Sequence, residues 1–107
     1  MRRPGFLVLT ALAGAGPLHG YGLVQAIEEI SGGAESLSLG GVYGVLERLE
    51  EVGQVTLHSE HVESGRSRRL YAITDQGRAA LAAEADRMEA DVRLSRSMLQ
   101  THPRGAT

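Results

Sequence analysis

The sequence predicts a mainly α-helical fold with one small β-hairpin, closed by a long C-terminal helix. Three observations predict it. Apolar residues recur at three- and four-residue spacing in Gly20 to Ser31 and again in Ser38 to Gly53, as they do on helices with one buried face. The period then changes: Gln54 to His61 alternates, a short apolar run follows at Leu70 to Ile73, and Ser64-Gly65 marks a turn between them. From Asp75 the helical period returns and lasts to about Leu99, at alternating spacings of four and three.

The first element, Phe6 to Ala13, is apolar nearly all round. Periodicity leaves two readings open there, a helix buried on most sides or a buried strand. As a strand it would lead into Gly14-Ala15-Gly16-Pro17-Leu18-His19-Gly20, a glycine-rich turn before a helix, like a dinucleotide-binding loop. The spacing is G-x-G-x-x-x-G rather than G-x-G-x-x-G, Pro17 removes an amide, and no parallel sheet follows. Gly14 to Pro17 is therefore read as a helix-to-helix turn. Gly20 to Ser31 gives the second helix, with Tyr21, Leu23, Val24, Ile27 and Ile30 as its apolar stripe and Gly32-Gly33 as its end.

The third helix is the centre of the chain. Val42, Val45, Leu46, Leu49 and Val52 form its buried face, Ser38 is its expected cap and Gly53 its left-handed stop. Its opposite face carries Gly40, Gly41 and Gly44 around Tyr43. Glycine in a helix interior costs about 1 kcal/mol against alanine, so the run needs a reason. Close approach to something flat is one; tight packing against a neighbouring helix is the other. A slim helix start can enter a DNA major groove, where first-turn side chains meet base edges and free amides meet phosphates.

Val55, Leu57 and Ser59 are expected on one face of the first strand, with Thr56, His58 and Glu60 on the other. Val62 to Arg69 then places Arg66, Arg68 and Arg69 at a hairpin tip. Three helices followed by a hairpin is the order of a winged helix-turn-helix. Thr74-Asp75 starts the last helix, the threonine as cap and the aspartate against the positive helix end. Along it Leu81, Ala85, Met88, Val92, Ser95 and Leu99 form a coiled-coil seam. A body this small cannot cover so long a helix, so a second copy of the chain is its expected cover. The divisions are residues 1–73 for the winged domain, 74–100 for the dimerisation helix and 101–107 for a flexible tail with Pro103 and Gly105.

At 107 residues the chain is one domain with a thin core, which association would help. A net charge of −2 argues against indiscriminate coating of nucleic acid and leaves room for a local basic patch. All 11 basic residues are arginine, suited to forked phosphate contacts. The absence of cysteine excludes a disulfide framework, a thiolate nucleophile and a zinc knuckle, and fits a reducing cytoplasm, the expected location. Arg2 to Ala15 superficially copies a signal peptide. Its apolar run is short and flows into another helix, and nothing approaches the roughly 20 apolar residues of a membrane span.

On this fold the candidate DNA-binding residues are Ser38, Gly40, Gly41, Tyr43, Gly44 and Arg48 on the third helix, His19 and Tyr21 at the second, and Arg66, Arg68 and Arg69 on the wing. Each has a plainer reading. Tyr43 can fold back on the body, Arg48 can pair with Glu47, Glu51 or Glu28, His19 can cap its helix, and the wing can be a solvated turn. His58 and His61 with Glu60 and Glu63 suggest a metal, but residues three apart on a strand point to opposite faces, so no metal or other cofactor is expected. No nucleophile–base–orienter set emerges, so no catalysis is expected. Two further readings stay open. One is a winged helix used only for protein interaction. The other is a small-molecule binder in which Met88 and Val92, with Met98, line a hydrophobic pocket between long helices.

Leu18-His19-Gly20-Tyr21-Gly22-Leu23, Gly40 to Gly53 and Tyr71-Ala72-Ile73-Thr74-Asp75-Gln76-Gly77-Arg78 resemble, in order and spacing, the PadR family of bacterial transcriptional regulators. Gly41 stands where the family's G-T-L-Y-x-x-L-x-R-L pattern has threonine, which removes a hydroxyl. The resemblance implies a homodimer whose C-terminal helix packs beside the partner's first helix, adding Phe6 and Leu9 to the expected dimer interface. It also implies double-stranded operator DNA as partner, read by two recognition helices in successive major grooves. Some small members bind flat aromatic drugs through a tryptophan on the last helix; this sequence has none. The expected function is a regulator, acting as a repressor of a neighbouring gene, relieved by a hydrophobic small-molecule effector.

Overall fold

The computed structural model describes residues 1–101. In chain order it contains α1 (Arg3–Ala15), α2 (Gly20–Ile30), α3 (Leu39–Glu51), β1 (Val55–Glu63), β2 (Arg66–Ile73) and α4 (Asp75–Thr101). The mainly helical winged fold expected from the sequence is the one observed.

The ambiguous first segment is helix. Pro4 sits in its first turn, where a missing N–H costs nothing. Its apolar surround is explained by its neighbours, since α1 contacts α2, α3, α4 and β2. Leu9 and Leu12 are fully buried among Leu23 and Ile27 of α2 and Val42 and Leu46 of α3. This corrects one expectation. Leu9, assigned to a dimer interface, is 0% exposed within the protomer and has no surface to offer a partner. Phe6, half-buried, packs at the edge of the same core. After α1, Leu18 exchanges both backbone hydrogen bonds with Tyr71, at 3.0 and 2.8 Å, tying the turn to the edge of β2.

The antiparallel ladder runs from Val55↔Ile73 to Glu63↔Arg66. Ser64 (φ 51°) and Gly65 (φ 76°) are both left-handed, the pair a two-residue hairpin turn needs to match the twist of its strands. The second strand therefore starts at Arg66, not Leu70, and the three arginines lie on β2 rather than in a tip loop. A bulge between Leu57 and Ser59 leaves His58 outside the register. It breaks the expected alternation from Ser59 onward; ahead of it, in regular register, Val55 is the strand's buried residue and Leu57 is exposed.

The Thr74 hydroxyl accepts from the Gly77 N–H at 3.0 Å and donates to the Gly53 carbonyl at 2.7 Å, so it both caps α4 and latches it to the end of α3. The helix runs 27 residues, about 40 Å at 1.5 Å per residue. Its first half belongs to the body. Leu81 packs on the core, and the buried Glu84 carboxylate is paired by Arg87 and, at 3.8 Å, by the Met1 ammonium. From Glu89 to Thr101 every residue is exposed. The expected seam is thus divided: Leu81 is engaged by its own protomer, Met88 is half-buried, and Ala85, Val92, Ser95 and Leu99 are open. Thr101 is helical, and the rest of the expected tail, 102–107, lies outside the described residues.

Candidate nucleic-acid interface

Ser38 Oγ accepts from the Gly41 N–H at 3.0 Å and sets the start of α3. Beyond this cap a side-chain carbon added at Gly40 or Gly44 would meet nothing within 4 Å. Tight helix packing, the competing reason for these glycines, is therefore not what they serve. The thin face is free for approach from outside.

Tyr43 is 45% exposed and its ring leans on the start of α2. A Cβ at Gly20 would fall 2.7 Å from Tyr43 Cζ and 2.8 Å from its hydroxyl oxygen. The two readings of Tyr43 thus combine, since the ring rests on the body and still borders the open cleft. Gly20 was not singled out as a site residue by sequence reasoning, because its requirement is a close approach across the fold, invisible in local pattern. Gly20→Ala is expected to push the flexible Tyr43 ring aside. Melting temperature should change by only a few degrees, within the range of about 1 kcal/mol of mutational cost, while DNA affinity falls several-fold; equilibrium binding beside a melting curve checks both.

His19, Tyr21, Leu39, Tyr43, Arg66, Ser67, Arg68 and Arg69 border one open cleft of about 370 Å³. Most expected contact residues outside the glycine face are therefore gathered between the first turns of α2 and α3 and the wing. Leu39 and Ser67 are additions that carry no chemical signal in the sequence. Arg48 is not brought there. It borders a separate groove with Met1, Arg2, Gly5, Val45 and Leu49, and among the described residues it forms no ion pair with Glu28, Glu47 or Glu51.

The wing is a mixed surface. Arg69 Nε lies 3.2 Å from Glu60 and Arg68 Nε 3.3 Å from Glu63, and the Ser67 hydroxyl donates to Glu60 at 3.0 Å. The Tyr71 hydroxyl, and after it the Glu60 carboxylate, push the Arg69 guanidinium above its ordinary value. Solvent-exposed pairs of this kind are worth little. They orient the arginines while leaving them exchangeable toward phosphate. His61 faces Glu63 at 3.7 Å, and no group of three or more metal-ligating side chains converges among the described residues.

On the uncovered half of α4, Asp91, Val92, Ser95, Arg96 and Leu99 border a shallow groove of about 470 Å³. No helix among the described residues is long and apolar enough to cross a membrane.

Residues 8–83 match the model of the transcriptional regulator PadR-like family. The transcriptional regulator Rv3488 of Mycobacterium tuberculosis is 37% identical over 90 residues, covering 82% of this chain and 78% of that protein. A 37.1 kDa protein in a transposon of Streptomyces fradiae is 46% identical over 82 residues, or 77% of this chain; the match spans only 22% of that longer protein. Among solved structures, Bacillus subtilis PadR in complex with operator DNA shares the fold, with a TM-score of 0.70 and 24% identity over 78% of this chain and 47% of that one. The chain belongs to the PadR-like family of transcriptional regulators and is not an enzyme.

Proposed function

We propose that the chain is a homodimeric, sequence-specific repressor that occupies operator DNA near a neighbouring gene in the cytoplasm and blocks transcription by occlusion. The observation that carries this reading is the uncovered α3 face. Gly40 and Gly44 are open, Tyr43 rests against the start of α2 at Gly20, and three arginines of β2 border the same cleft as Tyr43. Helix α3 would enter the major groove, its thin face letting the backbone come close to base edges. The wing arginines would grip the flanking phosphates and set the register, and α3 would read sequence.

Replacing Arg66, Arg68 and Arg69 together with alanine should weaken operator and random-sequence DNA alike. The plot of log affinity against log salt should flatten by about 2 to 3, since each lost phosphate contact retains its counterion at roughly 0.9 per contact. Fluorescence anisotropy over a salt series measures this; an unchanged slope would remove the wing from the interface. A hydrophobic small molecule held at Met88 and Val92 between two copies would relieve repression. Melting-temperature screening against hydrophobic amphiphiles tests that part, and a ligand that stabilises the dimer without releasing DNA would contradict it.

A further inference from the structure

The geometry points to a single backbone phosphate of bound DNA held jointly by His19 and Arg68, and this inference rests on the DNA-binding reading above. It starts from a conflict between two donors. The Gly22 N–H donates to His19 Nδ1 at 3.0 Å, which makes the imidazole the cap of α2. An imidazole has at most one accepting nitrogen. With Nδ1 used by the cap, Nε2 carries the proton. Yet Arg68 Nη1 stands 3.0 Å from that same Nε2, and a guanidinium has only donors to give.

Neither group can satisfy the other. Two N–H donors brought this close share a need for one acceptor between or beside them. The described residues supply only part of it: Glu63 accepts at Arg68 Nε, 3.3 Å away on another edge of the guanidinium, and among them no acceptor meets the edge toward His19. The pair borders the open cleft, with Arg66 and Arg69 on the same rim. An oxygen anion is therefore favoured over a neutral acceptor, and phosphate oxygens offer several lone pairs to a forked guanidinium. The cleft adjoins the bare face of α3, so a duplex lying on that face passes its backbone here. His19 contributes a placed donor and no charge, and Arg68 contributes the charge. His19 thus ties the local start of α2 to DNA contact, and its imidazole serves cap and phosphate through different nitrogens.

The test uses variants that keep the cap. Asparagine and serine are good N-cap residues, so His19→Asn and His19→Ser should hold the melting temperature while removing the Nε2 donor. The probe is a duplex recovered by in vitro selection from a random pool, in the unmodified form and with single phosphates replaced one at a time by methylphosphonate. Each His19 variant should bind about tenfold more weakly, as expected for one lost hydrogen bond to a charged group, with the salt slope unchanged. Arg68→Ala should lose at least as much affinity and lower the slope by about one. The double variant should bind no more weakly than Arg68→Ala alone within about twofold, because both singles remove one shared phosphate. One methylphosphonate position should penalise the wild type and, because they retain Arg68, the His19 variants as well, while leaving Arg68→Ala indifferent. Wild-type affinity in both His19 variants, or losses that multiply in the double variant, would overturn the shared site while leaving DNA binding intact. Failure of the wild type to select or bind any duplex would instead overturn the DNA-binding reading and this site with it.

Discussion

Gly77→Ala is expected to be among the most destabilising single substitutions in the chain, on the order of 3 kcal/mol, lowering the melting temperature by roughly 15 °C. The reason is a backbone collision. A Cβ at Gly77 would lie 2.1 Å from the Gln54 carbonyl oxygen and 2.8 Å from Ile73 Cγ1. Unlike the Tyr43 ring facing Gly20, a carbonyl at the α3–β1 junction cannot swing away. Relief requires the start of α4 to lift, and that start is tied down at several points. Thr74 N–H donates to the Gln54 carbonyl at 3.1 Å, the Thr74 hydroxyl donates to Gly53, and the Gln76 amide donates to the Val52 carbonyl at 3.0 Å. Thermal or denaturant unfolding of wild type and variant in parallel is the measurement, and a loss below about 1 kcal/mol would mean that α4 is not seated this closely. Lifting the base of α4 also moves its far end most, so DNA affinity should fall even at temperatures where the variant is folded.

The boundaries of α3 were legible because both of its ends are written locally, in Ser38 as cap and in Gly53 as stop. The wing's strand length was not, because it depends on Ser64 taking a left-handed conformation beside Gly65, which lets the ladder close within two residues. Pattern alone put the arginines in a loop; the tight turn puts them in register, where Arg69 opposes Glu60 and Arg68 opposes His61. The identity of α1 was ambiguous for a physical reason as well, since a helix covered on most sides loses the polar stripe that marks helical period. That same cover is why Leu9 could not serve an interface. The candidate site was legible in its chemical residues, Tyr43, His19 and the arginines. The glycines that admit close contact, Gly20 and Gly77, depend on atoms from distant parts of the chain that no local spacing reveals.

Val92→Glu together with Leu99→Glu is expected to turn the protein into a monomer and to cost at least about a hundredfold in affinity for a two-half-site operator, since joint engagement of linked sites commonly adds 10²–10⁴. Among the described residues, the final part of α4 has no partner. Val92 is 50% exposed and Leu99 69%, and Leu94 and Met98 are exposed on the same stretch. An isolated helix of this length is marginal in water, and lone apolar side chains along it would be better covered by a second copy. Charges at two seam positions remove that gain and add like-charge repulsion between copies. They should leave the winged body folded, because neither residue belongs to the core. Light scattering after size exclusion reads the mass, and anisotropy on one-half-site and two-half-site duplexes reads the coupling. The variant should match wild type on the single half-site at low salt and fall behind on the double one. A dimer that survives both glutamates would place the interface elsewhere, whereas a monomer with undiminished two-site affinity would show that the recognition helices act independently and that α4 does not set their separation.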